Sequence, residues 1–91
     1  MTDVVFLRDT EVFAVFPGIQ ASVLRKDALL YYTHIGQHGR TDIDYCLGCE
    51  EVTKPSEYAE LFEELERIGY ELYVISKERM TDDKYRVMRF G

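Results

Sequence analysis

Residues 57–68 constrain the fold of this chain more than any other segment. In Glu57-Tyr58-Ala59-Glu60-Leu61-Phe62-Glu63-Glu64-Leu65-Glu66-Arg67-Ile68, the residues Tyr58, Leu61, Phe62, Leu65 and Ile68 recur at helical spacing. That spacing lines one stripe of an α-helix. Ser56 stands where an N-cap belongs, and glutamates in the first turn suit the positive end of the helix dipole. Gly69 follows where a C′ glycine ends a helix, with Tyr70 next to fold back on the last turn. Such a stripe is stable only against another apolar surface, which the rest of the chain must supply.

That surface is predicted to be β. Val4–Arg8 and Val12–Phe16 flank the polar turn Asp9-Thr10-Glu11 and read as a hairpin, with Pro17-Gly18 stopping the second strand. Neither run alternates cleanly, which suits strands covered on both faces by a helix or by a second copy of the chain. Residues 17–27 read as irregular or as holding a short turn. Ala28–Ile35, rich in aromatic and β-branched residues, reads as a third strand running into a turn or bulge at Gly36 and Gly39. Residues 41–53 read as a short strand or a loop, and Glu71–Ser76 as a strand. Residues 81–90 fit either a short helix or an edge strand. The expected fold is α+β and a single domain, residues 1–91. A small antiparallel sheet, the N-terminal hairpin plus later strands, is packed on one face by a single amphipathic helix.

The chain has 91 residues and a formal charge of −6. A chain this short buries only about 60–65% of its unfolded surface, so seven Tyr and five Phe carry much of the core. The negative charge argues against direct binding to nucleic acid or anionic lipid and favours basic protein surfaces. The absence of a long apolar run argues against a membrane span, and Met1-Thr2-Asp3-Val4 has no signal-peptide character. A cytoplasmic protein is expected, with Cys46 and Cys49 as thiols or metal ligands rather than a disulfide.

Every His and Cys of the chain lies between residues 34 and 49: His34, His38, Cys46 and Cys49. Two His and two Cys could close a tetrahedral zinc site and make the chain a zinc-stabilised module. If the 34–38 stretch were extended, the two imidazoles would stand ~13 Å apart, so Gly36 would have to fold the chain. The bland reading is a structural His34, a loop His38 and two small buried thiols. A Cys–His nucleophile has no supporting flanks, and a redox pair lacks a basic neighbour.

Residues 42–71 hold ten acids and two bases, so that stretch carries −8 while the remainder carries +2. Glu57, Glu60, Glu63, Glu64 and Glu66 lie off the apolar stripe. They read as a solvated helix exterior or as a carboxylate array facing a basic groove. Glu57, Glu60, Glu63 and Glu64 are the candidate partner-binding residues.

Two blocks carry a resemblance: Tyr31-Tyr32-Thr33-His34-Ile35-Gly36-Gln37-His38, and Thr53 to Leu61 continuing into Leu65-Glu66-Arg67-Ile68-Gly69-Tyr70-Glu71-Leu72. With the hairpin ending Ala14-Val15-Phe16-Pro17, the chain resembles, up to about Lys77, a group of short uncharacterised proteins of bacteria, phages and plasmids. The resemblance implies a non-secreted protein in a mobile-element setting and carries no functional residue. The expectation is therefore a non-enzymatic binding or regulatory protein without a cofactor, unless zinc fills the His/Cys set. Its partner would be a protein with a basic surface, such as a nucleic-acid-handling host factor. A homodimer is a further expectation, drawn from the large tyrosine set.

Overall fold

A computed structural model describes residues 1–22, 24–25, 28–34 and 36–90. Val23, Lys26 and Asp27, in the segment expected to be irregular, and Ile35, at the expected end of the third strand, lie outside the described residues.

The opening hairpin is β1 (Thr2–Arg8) and β2 (Val12–Gln20), followed by β3 (Ala28–Thr33) and β4 (Gln37–Asp42). Next come α1 (Ile43–Leu47), β5 (Glu50–Glu51), α2 (Pro55–Arg67) and β6 (Leu72–Val74). A 3₁₀ turn at Lys77–Thr81 and α3 (Asp83–Phe90) complete the chain. The sheet runs β4-β3-β2-β1 with antiparallel neighbours. Two short strands share the outer edge of β1. β5 pairs antiparallel at Leu7–Arg8, and β6 pairs parallel at Thr2–Val4.

The pleat explains why neither hairpin strand alternates in polarity. Val5, Leu7, Phe13, Val15 and Leu29 face one side, while Val4, Phe6, Ala14, Phe16 and Tyr32 face the other. Each side is a separate core. On one, α2 lays Leu61 and Leu65 (5% and 0% exposed) on the sheet. There Tyr58 stacks on Phe6 at 4.2 Å, and Tyr70 stacks on Phe16 at 4.9 Å. Offset stacking of this kind adds about 0.5–1.5 kcal/mol per pair beyond area burial. On the other side, Cys46 and Cys49 from α1 and its following turn, Met80 from the 3₁₀ turn, and Tyr85 from α3 close over the sheet. Lys77 ties this layer together. Its Nζ donates to the carbonyls of Leu47 and Cys49 at 3.1 and 2.9 Å. The cation thus meets the negative end of α1.

Several local expectations are corrected. α2 starts at Pro55 with Lys54 in the cap position, so Ser56 lies inside the first turn and is not the N-cap. Proline suits that first position because its missing N–H would be unpaired there anyway. Ile68 is the C-cap residue and is 51% exposed, so it leaves the apolar stripe. Gly69 takes φ +116°, and the Tyr70 N–H donates back to the Leu65 carbonyl at 3.1 Å. This Schellman closure turns the chain and carries Ile68 away from the sheet. β2 continues through Pro17-Gly18 to Gln20, with a register irregularity between Phe16 and Gln20 absorbing the proline. Residues 43–47 are helical rather than strand or loop, because the Asp42 carboxylate accepts the Tyr45 N–H at 2.8 Å and caps that turn. Of the two forms open to residues 81–90, the chain takes the helix, over Asp83–Phe90. No helix among the described residues is long and apolar enough to cross a membrane.

Candidate functional site: an acidic helix face and an aromatic cleft

The α2 carboxylates divide into two groups. Glu57 and Glu64 are seven residues apart and lie along one border of the buried stripe, two turns from each other. Both are engaged. Glu57 Oε1 accepts from Arg8 Nη2 at 3.0 Å, and Glu50 takes the other arm of the same guanidinium at 3.1 Å. Glu64, half-buried, meets Nδ1 of His34 at 3.1 Å. Glu64 also accepts from the buried Tyr32 hydroxyl, and this bond, then burial, raises the Tyr32 pKa. Glu64 therefore faces the sheet, not the outer surface expected for it. Glu60, Glu63 and Glu66 are exposed, and none forms a hydrogen bond or ion pair among the described residues.

The structure does not bring His34, His38, Cys46 and Cys49 together. His38 donates to or accepts from the Tyr70 hydroxyl at 3.0 Å and packs edge-on against Tyr32 at 4.7 Å, on the α2 side. Both cysteines are buried in the opposite core, with Cys46 Sγ on the Thr41 hydroxyl and Cys49 Sγ on the Tyr45 carbonyl. Among the described residues, no three His, Cys, Asp or Glu side chains converge as a metal site. Burial pushes the Cys46 thiol up to about 11 and raises Cys49 as well, which keeps both sulfurs protonated at neutral pH.

A cleft of about 490 Å³ opens on the side of the sheet away from α2. Its floor is Phe13 and Tyr31, whose rings meet edge to face at 6.3 Å and 83°. Gly39 makes room for Tyr31, because a Cβ there would come within 2.6 Å of its ring and hydroxyl. One wall is the β1–β2 turn with Tyr45. The Tyr45 hydroxyl donates to Asp9 Oδ2 at 2.9 Å, while Asp9 Oδ1 accepts the N–H groups of Thr10 and Glu11 at 2.5 and 3.2 Å. Desolvation pushes the Asp9 pKa upward, but these donors outweigh it and hold the carboxyl below its ordinary range. The same hydrogen bond pushes Tyr45 up to about 12. Thr33, His34 and Gln37 line the opposite side, and Arg40 and Thr41 of β4 line its outer edge. Sequence reading missed this site because its residues come from four separate segments. The sole local signal is the Asp9-Thr10-Glu11 turn.

Compared with protein-family models, curated proteins and solved structures, the chain has no match.

Proposed function

We propose that this chain is a non-enzymatic binding and regulatory module that acts on a protein with a basic surface through the outer face of α2. The reading is carried by Glu60, Glu63 and Glu66, which stand exposed without an ion pair among the described residues, while Glu57 is paired with Arg8 and Glu64 faces the sheet. Carboxylates three residues apart on one rigid helix, in a chain of net charge −6, attract a basic groove and repel polyanions. A nucleic-acid-handling host factor offers such a groove, since phosphate neutralisation requires clustered Lys and Arg. The mobile-element setting implied by the resemblance fits that partner.

The test is calorimetric titration against purified nucleic-acid-binding domains with basic grooves, at two salt concentrations. Binding is expected to weaken steeply with salt and to compete with duplex DNA. Reversal of Glu60, Glu63 and Glu66 to Lys is expected to abolish it with the circular dichroism unchanged. Binding that survives the triple reversal ends the reading.

A further inference from the structure

On the face opposite α2, one corner of the sheet is left uncovered. α1 is only five residues long, and α3 packs at the far end of β2, where Met88 and Tyr85 lie against Gly18. The corner between the β1–β2 turn and β4 therefore remains open as the 490 Å³ cleft. That volume lies within the usual range of small-molecule sites, roughly 300–1,000 Å³.

We propose that this cleft binds an alkyl guanidinium or alkyl ammonium group. Its walls combine three aromatic rings, Phe13, Tyr31 and Tyr45, with two carboxylates, Asp9 and Glu11. Aromatic faces carry negative charge density and attract desolvated cations. The carboxylates supply full charges beside them. Asp9 is fixed by the Tyr45 hydroxyl and two backbone N–H groups, so it is placed before any ligand arrives. Glu11 is exposed, and its side chain has no hydrogen bond or ion pair among the described residues. Tyr45 is 51% exposed even though its hydroxyl is engaged, so part of its ring is open to a ligand.

The remaining charges set the polarity of the site. Arg40 lies on β4, and the acids lie at the β1–β2 turn, with β3 and β2 between them. Arg40 lies opposite Leu30 and, beyond it, Phe16, five residues along from Glu11, so at ~3.3 Å per residue and ~4.8 Å per strand the backbone separation is roughly 15–20 Å. At that distance Arg40 leaves the acid end of the cleft attractive to a cation. Its cross-strand partner Leu30 packs on the α2-side core, so the Arg40 side chain leaves β4 toward that side and not into the cleft. His34 lines the cleft with its Nδ1 turned to Glu64. The cation can come from a free basic amino acid or from a Lys or Arg side chain of a protein. The cleft and the acidic face of α2 lie on opposite sides of the sheet, so this inference does not rest on the proposed function.

The test is a titration of ¹⁵N-labelled full chain with N-acetylarginine amide, which mimics a protein side chain, and with L-arginine. Saturable shifts are expected at residues 9–13, 31–33, 37–41 and 45. Glu11→Gln and Tyr45→Ala should each weaken binding about fivefold or more, the loss expected for one cation contact. Reversal of Glu60, Glu63 and Glu66 should leave the titration unchanged, which separates this site from the helix face. Tighter binding of L-arginine than of N-acetylarginine amide assigns the cation to a free amino acid, and the reverse order assigns it to a protein side chain. The proposal is overturned if no saturable shifts appear at tens of millimolar. It is equally overturned if N-acetylglutamate amide shifts the same residues as strongly, or if folded Glu11→Gln and Tyr45→Ala bind as the parent does.

Discussion

The phenol of Tyr31 fills the space above Gly39 on the neighbouring strand, so that any Cβ at position 39 would sit 2.6 Å from it. The two residues are direct cross-strand partners. Gly39→Ala must displace the Tyr31 ring or the β4 backbone. An overpacked site of this kind costs about 1–3 kcal/mol. Chemical denaturation is expected to show that loss. In a double-mutant cycle, the same glycine substitution placed on Tyr31→Ala should cost far less. Equal costs in both backgrounds would show that the ring does not occupy that space.

Alkaline pH is expected to unfold the protein early. Burial raises the Cys46 pKa from 9.0 to about 11. Burial, then its hydroxyl bond to Asp3 at 2.8 Å, raises Tyr85 from 10.0 to about 12. Both groups are held protonated in the folded state above the pH at which they ionise in the unfolded chain. Their contribution is fully present below pH 9 and is lost as pH rises through 11 and 12. The Cys46 gap alone corresponds to on the order of 2–3 kcal/mol. Urea midpoints measured from pH 8 to 12 should fall, and Tyr85→Phe should flatten the upper part of that fall. A flat profile for the parent chain would contradict the burial of these groups.

Leu65 and Ile68 offer a sharp contrast within one helix. Leu65 is fully buried against the sheet, while Ile68 is 51% exposed past the helix end. Leu65→Ala is expected to destabilise by about 2–5 kcal/mol through lost burial and a cavity. Ile68→Ala should stay within about 0.5 kcal/mol, as exposed positions do. Thermal unfolding of the two variants checks this, and comparable losses would place α2 in a different rotation on the sheet.

Zinc is expected to be irrelevant to stability. The imidazoles of His34 and His38 are engaged with Glu64 and Tyr70 beside α2, and the two thiols are buried on the far side of the sheet. Protein purified without chelator should carry metal well below one ion per chain, and EDTA should leave its melting temperature unchanged. Stoichiometric zinc with a chelator-dependent melting temperature would require the four side chains to rearrange.

Local chemistry made α2 legible. Its stripe of Tyr58, Leu61, Phe62 and Leu65 and its terminal Gly69 interact within a few residues of one another, so periodicity and backbone freedom suffice to read them. The unbroken apolar runs of β1 and β2 likewise announced a sheet covered on both sides. The short helix α1 escaped because a single cap, Asp42 to Tyr45, is its main local signal. Ile68 was misplaced because the Schellman turn, not the spacing, decides where the chain leaves the sheet. Strand order decided the rest. It set Asp9, Phe13, Tyr31, Arg40 and Tyr45 around one cleft although they are spread over the first half of the chain. It also put the sheet between His38 and the two cysteines, although they are close in sequence. In a pleated sheet, neighbouring residues point to opposite faces and distant strands lie side by side, so proximity along the chain carries little information about which side chains meet.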